Sequence, residues 1–317
     1  MLLAVSYHYV VERPPDQPRA IFPVTTASLA AQIELLGADF TFVSRDQLLG
    51  AVAGRRELPE RACLLTFDDG LRCQVELALP VLERLGAPAV FFVPGAPLAE
   101  RRVLAVHKLH ALRERLPEDE FEVRLDAALA AAGAEPPAVA VEHARRHYRY
   151  DTPSAARVKY LLNMALPRRV RDEVVESLFA AEFAEQVFAE QLYADRNQIA
   201  ELERDHRAIG SHSYAHEPLT ALSDDELPRD LRRAREFLAE VTGSPPLALS
   251  YPYGTASTVD RRVAAAARGA GFVAGFTMER RMNETLDEPL LLARLDTNDA
   301  PGGATPEPQL LEPTTRG

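Results

Sequence analysis

A series of short, apolar, β-rich runs constrains this chain more than any other feature. They fall at residues 3–10, 63–67, 89–93, 208–211, 247–251, 273–277 and 290–295. Helical periodicity fills several of the gaps, at 26–36, 72–85, 224–241 and 258–270. The third of these opens at Ser223 with Glu226 three residues on, the pattern of a capping box. Seven strands alternating with helices predict a parallel sheet of the α/β class. A run as uniformly apolar as AVFFV at 89–93 suits a strand covered on both faces.

The alternation breaks over residues 99–203, where Ala, Glu, Arg and Leu dominate and Pro117, Pro136, Pro137, Pro153 and Pro167 punctuate helical patterns. This segment interrupts the strand series, so it is expected to be an inserted helical subdomain between the strand-bearing segments 1–98 and 204–300. The stretch 301–317, with Gly302, Gly303, Pro306, Pro308 and Pro313, is expected to be a disordered tail. A length of 317 residues fits one large domain with such an insertion.

With 36 basic and 47 acidic residues, the net charge of −11 repels phosphate polymers, and nucleic acid is excluded as a partner. Residues 1–11 lack a basic flank and a small-residue cleavage site, and Arg13, Pro14 and Pro15 end the first apolar run. No apolar run has the length of a membrane span, so a cytoplasmic protein is expected. Cys63 and Cys73 have neither metal-pair spacing nor the density of a disulfide scaffold, and free thiols are expected.

Three strand ends carry the chemistry. Asp68 and Asp69 follow the run 63–67 and precede Gly70. Adjacent strand residues point to opposite faces, so both carboxylates reach one site only if the backbone turns, which Gly70 permits; the alternative is a turn that caps the helix from Arg72. His212 and His216 lie four apart after the run 208–211, where a helical turn would put both imidazoles on one face, a spacing that suits one metal ion. With a strand-end Asp they would form a two-histidine, one-carboxylate set with open positions. The third end, Ser250-Tyr251-Pro252-Tyr253-Gly254, holds a Pro and a Gly that fix a loop.

In this order, Thr66-Phe67-Asp68-Asp69-Gly70, His212-Ser213-Tyr214-Ala215-His216 and Pro252-Tyr253-Gly254 resemble the T-F-D-D-G, H-S/T-x-x-H and x-x-P-Y-G motifs of the NodB-homology polysaccharide deacetylases. The opening AVSYHYV strand is similar to the start of many bacterial members. The resemblance implies a distorted seven-stranded (β/α) barrel and one divalent metal, zinc or else Co, Ni, Fe or Mn, on Asp69, His212 and His216. It further implies Asp68 as general base and a Tyr253 backbone N–H for the oxyanion, with Pro252 shaping that loop.

The sequence departs from the family twice. Ser250 stands where the third motif begins with an Arg that orients the base, and Arg294 is a candidate replacement. No histidine follows His216, so the family's C-terminal His acid is absent. His107 and His110, at the start of the insert, are candidates for that proton donor, with His107 preferred; the alternative is one polar face of a surface helix. His8 is another candidate, or else a core histidine. His143 and His147, flanking Arg145 and Arg146, read as a solvated helix face. Arg294 and Asp296 share one side of a strand, as site residues or as a structural ion pair.

The expected activity is metal-dependent hydrolysis of an N-acyl group, acetyl foremost, from an amino sugar or a glycan precursor. The alternatives are hydrolysis of another C–N bond, such as a formamide or cyclic amide, and a catalytically silent sugar-binding protein that retains the metal ligands.

Overall fold

The computed structural model describes residues 1–14 and 20–311. The chain forms two compact units, one of Met1–Pro14, Pro23–Glu100 and Leu192–Gly317, the other of Pro15–Phe22 and Arg101–Gln191. The division differs from the expected 99–203 insert mainly at its end. The helix Arg196–His206 buries Ile199 and Leu202 in the core of the first unit, so 192–203 belong there.

Among the described residues, seven strands form the continuous path of the main sheet in the first unit: β1 (Leu2–Tyr7), β2 (Ala62–Phe67), β3 (Ala89–Val93), β4 (Ile209–Ser211), β5 (Ala248–Ser250), β6 (Ala274–Phe276) and β7 (Leu295–Asp296). They pair in the order β7-β1-β2-β3-β4-β5-β6, every pairing parallel. Thr41–Phe42 pairs with β2 beside β1, a contact too short to show in the sequence pattern. The far edge turns back toward β7: Leu292 N donates to Gly275 O at 2.8 Å, and Leu292 O accepts Thr277 N at 2.7 Å. The result is a curled seven-stranded half-barrel with helices around it, the expected class. The seventh run, expected over 290–295, is a strand only at Leu295–Asp296, because Asn283 takes up the backbone of Ala293 through its side-chain amide.

β2 shows why these runs become strands. Cys63, Leu65 and Phe67 enter one apolar cluster, and Ala62 and Leu64 enter another, so the sheet is covered on both faces. Phe67 stacks between Tyr7 and Phe91 at centroid distances of 5.0 and 5.1 Å. Each such fully buried side chain contributes about 1.5–3 kcal/mol of transfer free energy. The helix Glu226–Thr242 begins with the expected box, Glu226 N on Ser223 Oγ at 3.2 Å and Ser223 N on Glu226 Oε2 at 3.0 Å. Residues 301–311 of the expected disordered tail are ordered here: Thr305 N bonds to Asn298 O, Glu307 N bonds to Asp299 O, and Leu310 and Leu311 pack on the core. Residues 312–317 lie outside the described residues.

The second unit is helical, with Ala105–Arg115, Glu118–Ala131, Val141–His147, Pro153–Tyr160 and Arg168–Glu182 its main elements. Its helices bury Leu109, Leu112, Phe121, Leu125, Val174 and Phe179. Buried Lys108 is paired with Glu176 and Glu185. Among the described residues, no helix is long and apolar enough to cross a membrane. Cys63 and Cys73 are free thiols, as expected.

Candidate active site

Parallel strands bring their C-terminal ends to one rim, where α/β barrels place their chemistry. Ala62, Leu64 and Thr66 alternate onto one face of β2, and Asp68 continues that phase into the rim. The backbone then turns, with φ of 79° at Asp69 and 62° at Gly70. A Cβ on Gly70 would sit 3.1 Å from Val93 Cγ1 in a left-handed conformation, so glycine lets the second carboxylate reach the same rim.

His212 and His216 follow β4, but not on a helical turn. The expected helix face is replaced by a loop in which Ser213 and His216 have φ of 60° and 56°. Asp230 holds that loop by accepting Tyr214 N and Ala215 N, both at 2.9 Å. Asp69, Ser213, His216 and Tyr253 (φ 62°) are four of the six non-glycine residues with positive φ among the described residues. Such conformations each cost of order 1–3 kcal/mol and concentrate at functional sites.

The loop delivers His212 Nε2 to 3.5 Å and His216 Nε2 to 3.4 Å from Asp69 Oδ1. Two donors each about 2.1 Å from a common centre at a tetrahedral angle stand about 3.4 Å apart, so the spacing fits a metal ion. All three residues are buried, and their ligand atoms lie within 4.8 Å of one another. His212 Nδ1 is 2.8 Å from Ser250 O, an oxygen that only accepts, so Nδ1 carries the hydrogen and Nε2 presents its lone pair. Burial pushes the His212 imidazole down, but Asp68 and Asp69 outweigh it and raise its pKa. The two carboxylates thus favour positive charge at this position.

Asp68 is gripped from the opposite side. Arg294, fully buried at 0% exposure, donates Nη1 to Asp68 Oδ1 at 2.8 Å and Nη2 to Oδ2 at 2.7 Å. Its other bonds run to Thr66 Oγ1 (3.1 Å), Ser250 Oγ (2.7 Å) and Thr277 O (3.2 Å). Ser250 Oγ donates in turn to Asp68 Oδ2 at 2.9 Å. Burial would raise the Asp68 carboxyl, but the Arg294 and His212 charges and the Arg294 hydrogen bonds hold it at about 2. Arg294 therefore pairs with Asp68 and not with its strand neighbour Asp296. Ser250, Thr66 and Gln74 were not anticipated; Gln74 Nε2 ties Asp68 O (2.5 Å) to His8 O (3.0 Å). The one sequence signal for Ser250 was its place at the head of the third motif.

Pro252 and Tyr253 flank the same rim, and the Tyr253 ring meets the His216 ring at 5.2 Å. Gly254 is required there: a Cβ would lie 2.6 Å from Met278 N. His8 is the first residue past β1, and its charge acts on both Asp68 and Asp296. Burial raises the Asp296 carboxyl against bonds from Asn298 and the His8 charge. His107 and His110 belong to the helical unit, on Ala105–Arg115, with rings 5.9 Å apart. His107 and Lys108 are buried, so this is not the solvated face weighed as the alternative. His143 is exposed, with Nε2 2.8 Å from Tyr160 Oη.

A parallel half-barrel with an Asp-His-His cluster at its rim presents three side chains that could hold one divalent ion, with a second carboxylate beside them. The chain belongs to the polysaccharide deacetylase family, whose profile matches residues 55–275. Members of this family are amide hydrolases. The match excludes His8 and Arg294. The poly-beta-1,6-N-acetyl-D-glucosamine N-deacetylase of Escherichia coli K12 is 34% identical over 95 residues, covering 30% of this chain but only 14% of that protein. Among solved structures, the Streptococcus pyogenes deacetylase PplD, in complex with acetate, superposes with a TM-score of 0.60 at 14% identity over 98% of both chains. IcaB from Ammonifex degensii gives 0.56 at 19% identity, covering 93% of this chain and 90% of its own. These likenesses are of fold.

Proposed function

We propose that this chain is a divalent-metal-dependent N-deacetylase that hydrolyses the acetamide of an N-acetylhexosamine in a glycan or glycan precursor. The observation that carries this reading is the placement of an ionised, immobilised Asp68 carboxylate 4.0 Å from His212 Nε2, beside the Asp69-His212-His216 cluster. A first-row ion such as zinc suits the two imidazoles and one carboxylate. The name of the Escherichia coli relative supports an N-acetylglucosamine substrate.

When bound by Asp69, His212 and His216, the ion supplies Lewis acidity to the amide carbonyl and the attacking water. Asp68 accepts the proton that water loses as its oxygen bonds to the carbonyl carbon. Arg294 and Ser250 hold Asp68 ionised and fixed for that transfer. The Tyr253 backbone N–H donates to the oxygen on which negative charge builds. His8 protonates the amine nitrogen as the C–N bond breaks, releasing acetate. A silent sugar-binding protein would have no use for the Asp68 arrangement.

Acetate release from N-acetylglucosamine oligomers, nucleotide sugars and free acetamido sugars tests the reading. Asp68→Asn should lower turnover by roughly 10²–10⁴ while metal content stays parental. Parental turnover in that variant, or hydrolysis confined to formamides or cyclic amides, overturns it.

A further inference from the structure

Gln74 is fully buried four residues past the Gly70 turn, and it opens a π-helical turn over Gln74–Ala78. Single π turns recur at functional sites. The Gln74 amide uses both of its hydrogens and its oxygen. Nε2 donates to Asp68 O at 2.5 Å and to His8 O at 3.0 Å, while Oε1 accepts Leu71 N at 3.2 Å. A buried amide satisfied at both ends is a brace with one geometry.

The two carbonyls that it joins belong to the residues just past β1 and β2. The register of these strands stops at Tyr7 opposite Phe67, where Asp68 N donates to Tyr7 O at 2.9 Å. His8 and Asp68 lie one step beyond that register, and Gln74 spans them. Its neighbour Cys73 adds a second hold on the same segment, with Sγ accepting Val10 N at 3.4 Å. The two N–H bonds of a planar amide diverge at a fixed angle, so one side chain sets the separation of the two carbonyl oxygens. A fixed carbonyl oxygen in turn fixes the ψ of its residue, and with it the direction in which Cβ leaves the backbone.

We infer that Gln74 is a positioning residue that couples proton donor to base: it sets the His8 backbone against the Asp68 backbone, so that the imidazole meets the amine nitrogen on the site where the carboxylate meets the water. The inference rests on the roles proposed above for Asp68 and His8. Arg294 and Ser250 already fix the Asp68 carboxylate, which leaves the starting point of the His8 side chain as the variable that Gln74 controls. A misplacement of about 1 Å can lower a rate roughly 10²-fold, so the effect belongs in kcat and not in substrate affinity.

Steady-state deacetylation of N-acetylglucosamine oligomers by the full chain tests this. Gln74→Met keeps bulk and burial but removes the donors; it should lower kcat about tenfold or more, with KM and metal content within about twofold of the parent. In the His8→Gln background the same substitution should lower kcat no further, because the group that it positions is gone. A glutamine with only a structural role would impose the same loss in both backgrounds. Should Gln74→Met fail to fold, Gln74→Asn decides: it retains the amide one methylene too short to join both carbonyls, and the same kcat loss and the same non-additivity are expected. Parental kcat in the folded variant, a loss confined to KM or metal content, or an equal loss in the two backgrounds overturns the inference. Parental turnover in Asp68→Asn or His8→Gln would remove the proposed roles and this inference with them, whereas failure of the inference alone leaves both of those variants impaired.

Discussion

Arg294 meets Asp68 through two parallel hydrogen bonds, Nη1 to Oδ1 at 2.8 Å and Nη2 to Oδ2 at 2.7 Å, across 226 residues of sequence. This pair sets the charge state of the residue assigned as general base. Phe92 and Phe276 flank the guanidinium, with centroids 5.8 and 6.0 Å away, so solvent does not compete for it.

Removing one member of a buried ion pair is costly because the other remains desolvated and charged. Arg294→Met should destabilise the protein by about 3–5 kcal/mol, read by denaturant or thermal melting. The double variant Arg294→Met/Asp68→Asn should recover much of that loss. Arg294→Lys should not restore turnover, since an ammonium lacks the two-point fork. Equal stabilities for Arg294→Met and the parent would show that the pair contributes nothing.

Metal removal should abolish turnover, and re-addition of a single equivalent of a first-row divalent ion should restore it. At a free ion concentration of 100 times its Kd, the holoprotein should gain about 2.7 kcal/mol of stability. His216→Ala should bind metal far more weakly, measured by competition with a chromogenic chelator. Parental affinity in this variant would remove His216 from the ligand set.

The proton donor can be assigned by comparing single variants. His8→Gln should lower turnover strongly with metal content unchanged. His107→Ala and His110→Ala should stay near parental turnover if His8 is the donor. The reverse pattern would return the role to the helical unit, as the sequence suggested.

Thiol labelling provides a check on the core. Cys63 is fully buried, and burial pushes its pKa up to about 12, so iodoacetamide should leave it unmodified in the folded protein. Denaturation should expose two reactive thiols. Rapid native labelling of Cys63 would contradict the packing of β2.

Much of the site was legible because its residues cluster in short local motifs at strand ends. The strands at Ala62–Phe67 and Ala89–Val93 were legible for a related reason: burial on both faces leaves uniformly apolar runs. What the sequence left open was long-range. Arg294 was a candidate only, since nothing local says that its partner is Asp68 and not Asp296. The His212–His216 spacing suggested a helix, yet the structure uses a strained loop pinned by Asp230, a contact fixed by tertiary packing. Thr41–Phe42 has two residues and therefore no period to detect.

The pairing of β1 with β7 has a consequence for biosynthesis. Val5 and Ser6 find their partners Leu295 and Asp296 only after nearly all of the chain described here has been translated. Until then Asp68 lacks its guanidinium, and one edge of β1 is open to pairing with other chains. At roughly 5–20 residues per second, the ribosome leaves that edge exposed for about 15–60 s. An edge left open that long invites strand pairing with other chains, and Asp68 acquires its fixed orientation among the last events of folding.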